Sequence, residues 1–183
     1  MAADPVKEIY LTCKGGDWSR FLDAAENNPQ LAGLCARFVN SGSRWTFLHQ
    51  AAYWNNARAC YELIRYGASL LTRAPEGGIP ADVAAQRGYN DLAADLKAAS
   101  LSSCWAPVPD PTLMASSSLW SQANQKPATH DMVVAYGGGT VDIPRGARYF
   151  ADKYGRVLVG WHGTWNPPCG MDGEPMVTRN GRY

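Results

Sequence analysis

No apolar run in this chain is long enough to cross a membrane. The longest are stretches such as Val157-Leu158-Val159, far short of the roughly 18 residues a span needs. An excess of one charge is also missing: 17 Lys and Arg stand against 16 Asp and Glu, for a formal net charge of +1. Residues 1–100 carry ten of each sign, and residues 101–183 carry seven basic and six acidic. Neither half is polarised, which argues against a dedicated nucleic-acid binder or a binder of anionic membranes. Cysteines at zinc-knuckle spacing are absent. Cys13, Cys35, Cys60, Cys104 and Cys169 are widely scattered and odd in number, which does not describe a disulfide framework. Cys60, beside Leu63 and Ile64 on a helical apolar face, reads as a buried reduced thiol. Residues 1–8 hold no signal-peptide core and are too acidic for a typical transit peptide. The expectation is a soluble, cytoplasmic protein with no membrane insertion, no metal and no cofactor. At 46% hydrophobic and 18% charged residues, the chain has the composition of one that buries a core.

What is present is a repeat. Thr46-Phe47-Leu48-His49-Gln50-Ala51-Ala52 matches Ile79-Pro80-Ala81-Asp82-Val83-Ala84-Ala85 at a constant offset of 33. Each opens a short helix with two alanines on its inner side, where small side chains let helices stack closely. A polar break follows, Asn55-Asn56 or Gly88-Tyr89, and then a second helix, over 57–66 and 90–99. Gly67 suits a left-handed C-cap for the first of these. A degenerate repeat precedes them. Residues 5–14 read as a helix with Val6, Ile9, Tyr10 and Cys13 on one face, broken at Gly15-Gly16-Asp17. Residues 18–27 read as its partner, capped by Asp17, with Trp18, Phe21, Leu22 and Ala25 inward. The breaks at Gly16 and Asn55 are offset by 39 in place of 33, so residues 28–34 read as an over-long connection.

These residues resemble ankyrin repeats over about 5–99. Leu63-Ile64-Arg65-Tyr66-Gly67-Ala68-Ser69 resembles the end of the family's outer helix. Ala74-Pro75-Glu76-Gly77-Gly78-Ile79-Pro80 resembles its hairpin finger and the start of its Thr-Pro-Leu-His box. His49 matches the box histidine, which the resemblance makes a structural hydrogen-bonding residue; Asp82 replaces it in the later repeat. Phe47, Ile79 and Ala81 depart from the box pattern, and Asn55 replaces the usual glycine. The resemblance implies a stack of about three repeats that binds a partner protein through finger tips and the concave face. It places Arg44, Trp45 and Glu76 at finger tips and Gln50, Tyr53, Trp54, Gln86 and Arg87 on concave helix positions. Trp45 aligns with Gly78 and Trp54 with Arg87, so neither position needs an aromatic for the fold. Trp, Tyr and Arg are the residue types enriched at binding hot spots.

Composition shifts after Ser100. Residues 101–130 hold Pro107, Pro109, Pro111 and Pro127 with six serines, which forbids a long helix. Trp105, Leu113, Met114, Leu119 and Trp120 are too apolar for a free linker, so the segment reads as an extended strap along the repeats, with a short helix over 118–125. Residues 131–168 read as a small antiparallel β module with strands over 132–136, 140–143, 149–152 and 157–161, and a tight turn at Lys153-Tyr154-Gly155-Arg156. Residues 169–183 read as a tail. The fold class is therefore α+β.

Three chemical readings of this half compete with a plain binding surface. Gly137-Gly138-Gly139 lacks the following Lys-Ser/Thr and helix of a phosphate cradle, and suits a hairpin. Trp161-His162-Gly163-Thr164 looks like the histidine motif of polymerase-type ADP-ribosyltransferases, but too little chain follows Thr164 for the rest of such a fold. His162 and Cys169, with Asp152 or Asp172 orienting the imidazole, could make a nucleophile pair, although no regular element enforces their spacing. Trp161, His162 and Trp165 form a second candidate binding patch. The leading expectation is a non-enzymatic protein-binding adaptor. The alternatives are an accessory subunit of a larger assembly and, behind it, a small enzyme built around His162.

Overall fold

The computed structural model describes residues 4–101, 113–136, 139–158 and 178–179. The fold is α+β, and the chain divides into two units, one holding the described residues up to Leu101 and one those from Leu113. No described helix is long and apolar enough to cross a membrane.

The described residues of the first unit form α1 (Pro5–Lys14), α2 (Ser19–Asn27), α3 (Pro29–Arg37), α4 (Phe47–Tyr53), α5 (Ala57–Arg65), α6 (Pro80–Gln86) and α7 (Asn90–Leu101). Two devices recur through them. The first closes helices. Gly16, Asn55, Gly67 and Gly88 all take left-handed backbone, with φ of 94°, 54°, 85° and 83°. The residue after each donates its N–H to a carbonyl just over one turn back: Asp17 to Thr12, Asn56 to Ala51, Ala68 to Leu63 and Tyr89 to Ala84. That is a Schellman closure, and Asn is the non-glycine residue that tolerates it best. The second device opens helices. Thr46 N–H donates to His49 Nδ1 at 3.2 Å, and at the matching position of the later pair Ile79 N–H donates to Asp82 Oδ2 at 3.0 Å. Asp82 thus does locally what His49 does, with a different acceptor.

Between α3 and α4 a hairpin finger is closed by Asn40 N–H to Trp45 O, and between α5 and α6 another by Ala74 N–H to Gly78 O. Arg44 and Gly77, which match at the same offset, both have positive φ, 53° and 87°. The departure at Phe47 has a packing reason. Its ring is fully buried and meets Tyr10 at 5.3 Å, Phe38 at 5.8 Å and Phe21 at 6.0 Å between centroids. An aromatic there welds α4 to the helices before it.

Three expectations are corrected in this half. The over-long connection at 28–34 is the start of a helix, α3. Pro29 occupies its first turn, where a missing N–H costs nothing, and Asn28 caps it by accepting from Leu31 N–H at 3.1 Å. Asp17 does not cap α2 from the N-cap position, which Trp18 holds; its carboxylate accepts from the Ser19 N–H and hydroxyl. Ala85 is exposed while Ala51, Ala52 and Ala84 are buried, so only one alanine of the second pair faces inward.

The described residues of the second unit form short strands: β1 (Leu113–Met114), β2 (Ser116–Ser117), β3 (Asn124–Pro127), β4 (Met132–Tyr136), β5 (Gly139–Ile143), β6 (Arg148–Ala151), β7 (Val157–Leu158) and β8 (Thr178–Arg179). They make two four-stranded sheets, ordered β1-β4-β5-β8 and β2-β7-β6-β3. An antiparallel meander is not what forms: β1 pairs parallel to β4 and β2 parallel to β7. Where a strap was expected, residues 113–117 supply two strands of this unit and cross from one sheet to the other at Ala115, whose carbonyl accepts from Val157 N–H. Leu113, Met114, Ser116 and Ser117 are buried there. The helix expected over 118–125 is a single 3₁₀ turn (Trp120–Gln122) followed by β3. Thr178 and Arg179, expected in a tail, pair with Asp142 and Val141. The turn after β6 forms as expected: Asp152 N–H donates to Arg156 O, and Gly155 has φ of 81°. Trp105 and the prolines at 107–111, the turn at 137–138, the end of the strand expected over 157–161 and the rest of the tail lie outside the described residues.

Candidate functional site

The helix-closing turns bring the candidate residues of the first unit together. Trp54 sits at the C-terminal end of α4 and packs over Gly16, where a Cβ would stand 3.4 Å from the indole, in ordinary van der Waals contact. Its Nε1–H donates to Lys14 O, the last carbonyl of α1. Tyr53 stands edge-on to Trp54 at 5.5 Å and to Trp45 at 6.1 Å. The Arg87 guanidinium, at the end of α6, lies 4.4 Å from the Tyr53 ring centroid. Trp45 donates its indole N–H to Glu76 Oε1 at 3.0 Å, tying one finger to the next. Hydrogen bonds from its own backbone N–H and then from that indole hold the Glu76 carboxyl below its ordinary value of 4.5.

Lys14, Ser43, Trp45, Gln50, Tyr53 and Trp54 line an open cleft of about 350 Å³. Trp54 keeps 43% of its surface exposed, and Trp45 and Tyr53 are half-buried. The sequence reading puts Arg44, Trp45, Gln50, Tyr53, Trp54, Glu76, Gln86 and Arg87 on one face. Trp45, Tyr53, Trp54, Glu76 and Arg87 are indeed linked by contact, each touching at least one other of the set. Arg44 and Gln86 are exposed, at the finger and the last turn of α6. Gln50 lines the same cleft but is only 6% exposed, and its amide donates to Tyr10 OH, so it forms the floor. Lys14 escapes the sequence reading. It lies in the degenerate first repeat, where the offset of 33 fails, so the alignment gives no position for it.

His49 lies behind this face. Because Nδ1 accepts the Thr46 N–H, the ring hydrogen sits on Nε2, which donates to Gly78 O at 3.3 Å in the next finger. Burial, against the opposing pull of Gly78 O and Glu76, keeps its pKa below the ordinary 6.5. It is a neutral strut between successive helix pairs. Burial pushes the Cys13 and Cys35 thiols up to about 12 and raises Cys60 as well, so none of the three offers a thiolate at neutral pH. Among the described residues no group of three or more His, Cys, Asp or Glu side chains is placed to hold a metal ion.

In the β unit, Asp152 is not a spare carboxylate for an imidazole. Oδ1 accepts from the Tyr154 and Arg156 N–H groups, and Oδ2 accepts from Arg156 Nε at 2.8 Å. Trp161, His162, Trp165, Cys169 and Asp172 lie outside the described residues.

No family model, curated protein or solved structure matches this chain.

Proposed function

We propose that residues 4–101 are an ankyrin-type stack of three repeats and that the protein is a non-enzymatic docking module. In this reading it grips a partner protein through the face formed by Trp45, Tyr53, Trp54 and Arg87. The observation that carries the reading is the contiguous aromatic wall around an open cleft, with Trp54 43% exposed in a unit that buries Trp18. An aromatic on a rigid scaffold contributes large contact area at little entropy cost on binding. The recurrence of both helix devices at the offset of 33 supports the repeat assignment. The longer spacing of the first repeat fits a terminal one, which is commonly atypical. A second reading, an accessory subunit fixed in a larger assembly, draws on exposed Leu11, Leu34 and Leu71.

The test is affinity capture from native extract with the full chain, with Trp45→Ala/Trp54→Ala as the variant and Trp54→Ala alone as control for folding. Loss of the same captured protein with unchanged far-UV circular dichroism supports docking. Retained capture by a folded double variant removes this face from consideration.

A further inference from the structure

We infer that the cleft takes a short acidic peptide segment of its partner, seating one apolar side chain among the rings with flanking carboxylates on a basic rim. This rests on the docking reading of the same face. Three observations lead there. Both indole N–H groups are already used internally, Trp45 on Glu76 and Trp54 on Lys14 O. The rings therefore offer apolar surface and no free donors, which suits a side chain. Gln50, only 6% exposed in the floor, donates to Tyr10 OH, while its Oε1 accepts from no described residue. That acceptor is not among the side-chain atoms sealed from water, so in the cleft floor a ligand N–H, such as a peptide backbone supplies, can take the place of solvent on it.

The third observation is charge. Lys14 lines the cleft, Arg87 stacks on Tyr53, and Arg44 precedes Trp45 in the finger; none forms an ion pair with a described residue. Two carboxylates stand nearby and both are engaged: Glu76 is turned onto the Trp45 indole, and Asp17, next to the Gly16 that lies against Trp54, accepts from Ser19. Three cations to two engaged carboxylates is a local excess in a half-chain that balances ten against ten. Complementarity at a rim of this kind sets partner sign and encounter rate more than affinity. Stacking rings beside cations also describes a single-stranded nucleic-acid groove, but such grooves track the backbone with a run of positive charge. Here Glu76 interrupts the rim and the whole chain carries +1, so the peptide is favoured.

The test uses isotope-labelled full chain and follows the indole N–H resonances of Trp45 and Trp54, assigned from single variants. The probes are a capped pentapeptide with Phe between two Glu on each side, its Lys-flanked counterpart, its Ala-centred counterpart, and oligothymidine. The acidic Phe peptide is expected to shift both indoles saturably. Trp54→Ala is expected to abolish binding as read at the Trp45 indole, and Lys14→Gln and Arg87→Gln to weaken it by up to about fivefold each, the worth of one exposed ion pair. Equal or tighter binding of the Lys-flanked peptide overturns the charge assignment while leaving the docking face standing. Equal binding of the Ala-centred peptide overturns the apolar seat. Tighter binding of oligothymidine reassigns the face to nucleic acid. No shift with any peptide at millimolar concentration overturns the inference, and the capture experiment then decides the docking reading separately.

Discussion

His49 is the side chain whose removal tests the stacking of helix pairs most sharply. Its ring meets Thr46 N–H at 3.2 Å, the Thr46 hydroxyl at 2.8 Å and Gly78 O at 3.3 Å, and the residue is fully buried. His49→Ala removes a capping interaction and a tie to the next finger, each about 1 kcal/mol, and leaves buried polar groups short of partners. The expected loss is about 3 kcal/mol. For a unit of this size, 1 kcal/mol shifts the melting midpoint by about 4–8 °C, so the midpoint falls by about 12–24 °C. The same residue makes the unit pH-sensitive. Burial lowers the folded pKa below 6.5, so the unfolded chain takes up the proton first as pH falls. His49's contribution is complete above the unfolded value of 6.5. It is lost as pH drops from there toward the folded pKa, with a slope of at most about 1.4 kcal/mol per pH unit. Urea titrations of parent and variant, followed by circular dichroism above and below the unfolded pKa, read both effects. A variant within about 1 kcal/mol of the parent, or one that keeps the parent's acid slope, refutes the strut assignment.

Further substitutions separate backbone from charge. At Gly88, φ is 83° and no atom stands within 4 Å of a would-be Cβ, so Gly88→Ala costs backbone strain alone, about 1–2 kcal/mol by thermal denaturation, whereas Asn55→Gly stays within about 0.5 kcal/mol. In the β unit, Asp152→Asn takes the charged acceptor from the buried Arg156 guanidinium, whose side chain is 2% exposed, and is expected to destabilise by up to about 3–5 kcal/mol. The paired Asp152→Asn/Arg156→Met variant recovers part of that loss in urea titrations; no recovery contradicts the ion-pair explanation.

Much of the helical half was legible because its information is local and periodic. The offset of 33 aligned Asn55 with Gly88 and Thr46 with Ile79, and the structure gives these pairs the same backbone roles. The third helix, α3, was hidden because the offset of 39 made residues 28–34 read as an inserted connection; a proline in a helix's first turn carries no penalty, and Asn28 just before Pro29 was the overlooked signal. The β half was legible strand by strand but not as a sheet. Residues 132–136 and 149–152 hold β-branched or aromatic runs that break at turns, so they could be marked, the second one residue off the observed Arg148–Ala151, whereas which strands pair depends on contacts distant in sequence. The parallel pairing of Leu113 with Val133 and of Ser116 with Val157 leaves no local trace, and a proline-rich stretch upstream masked it. In the site, residue type disclosed the tryptophans. Gln50 could not be recognised as floor, because the Tyr10 hydroxyl that holds it comes from a helix far back in the chain.

The most direct test is a hydrogen–deuterium exchange footprint of the full chain, free and bound to the protein it captures. New protection is expected at residues 43–54 and 74–88, with the end of α1 included. Protection confined to residues 113–158, with the Trp45 and Trp54 segments unchanged, would contradict the docking face.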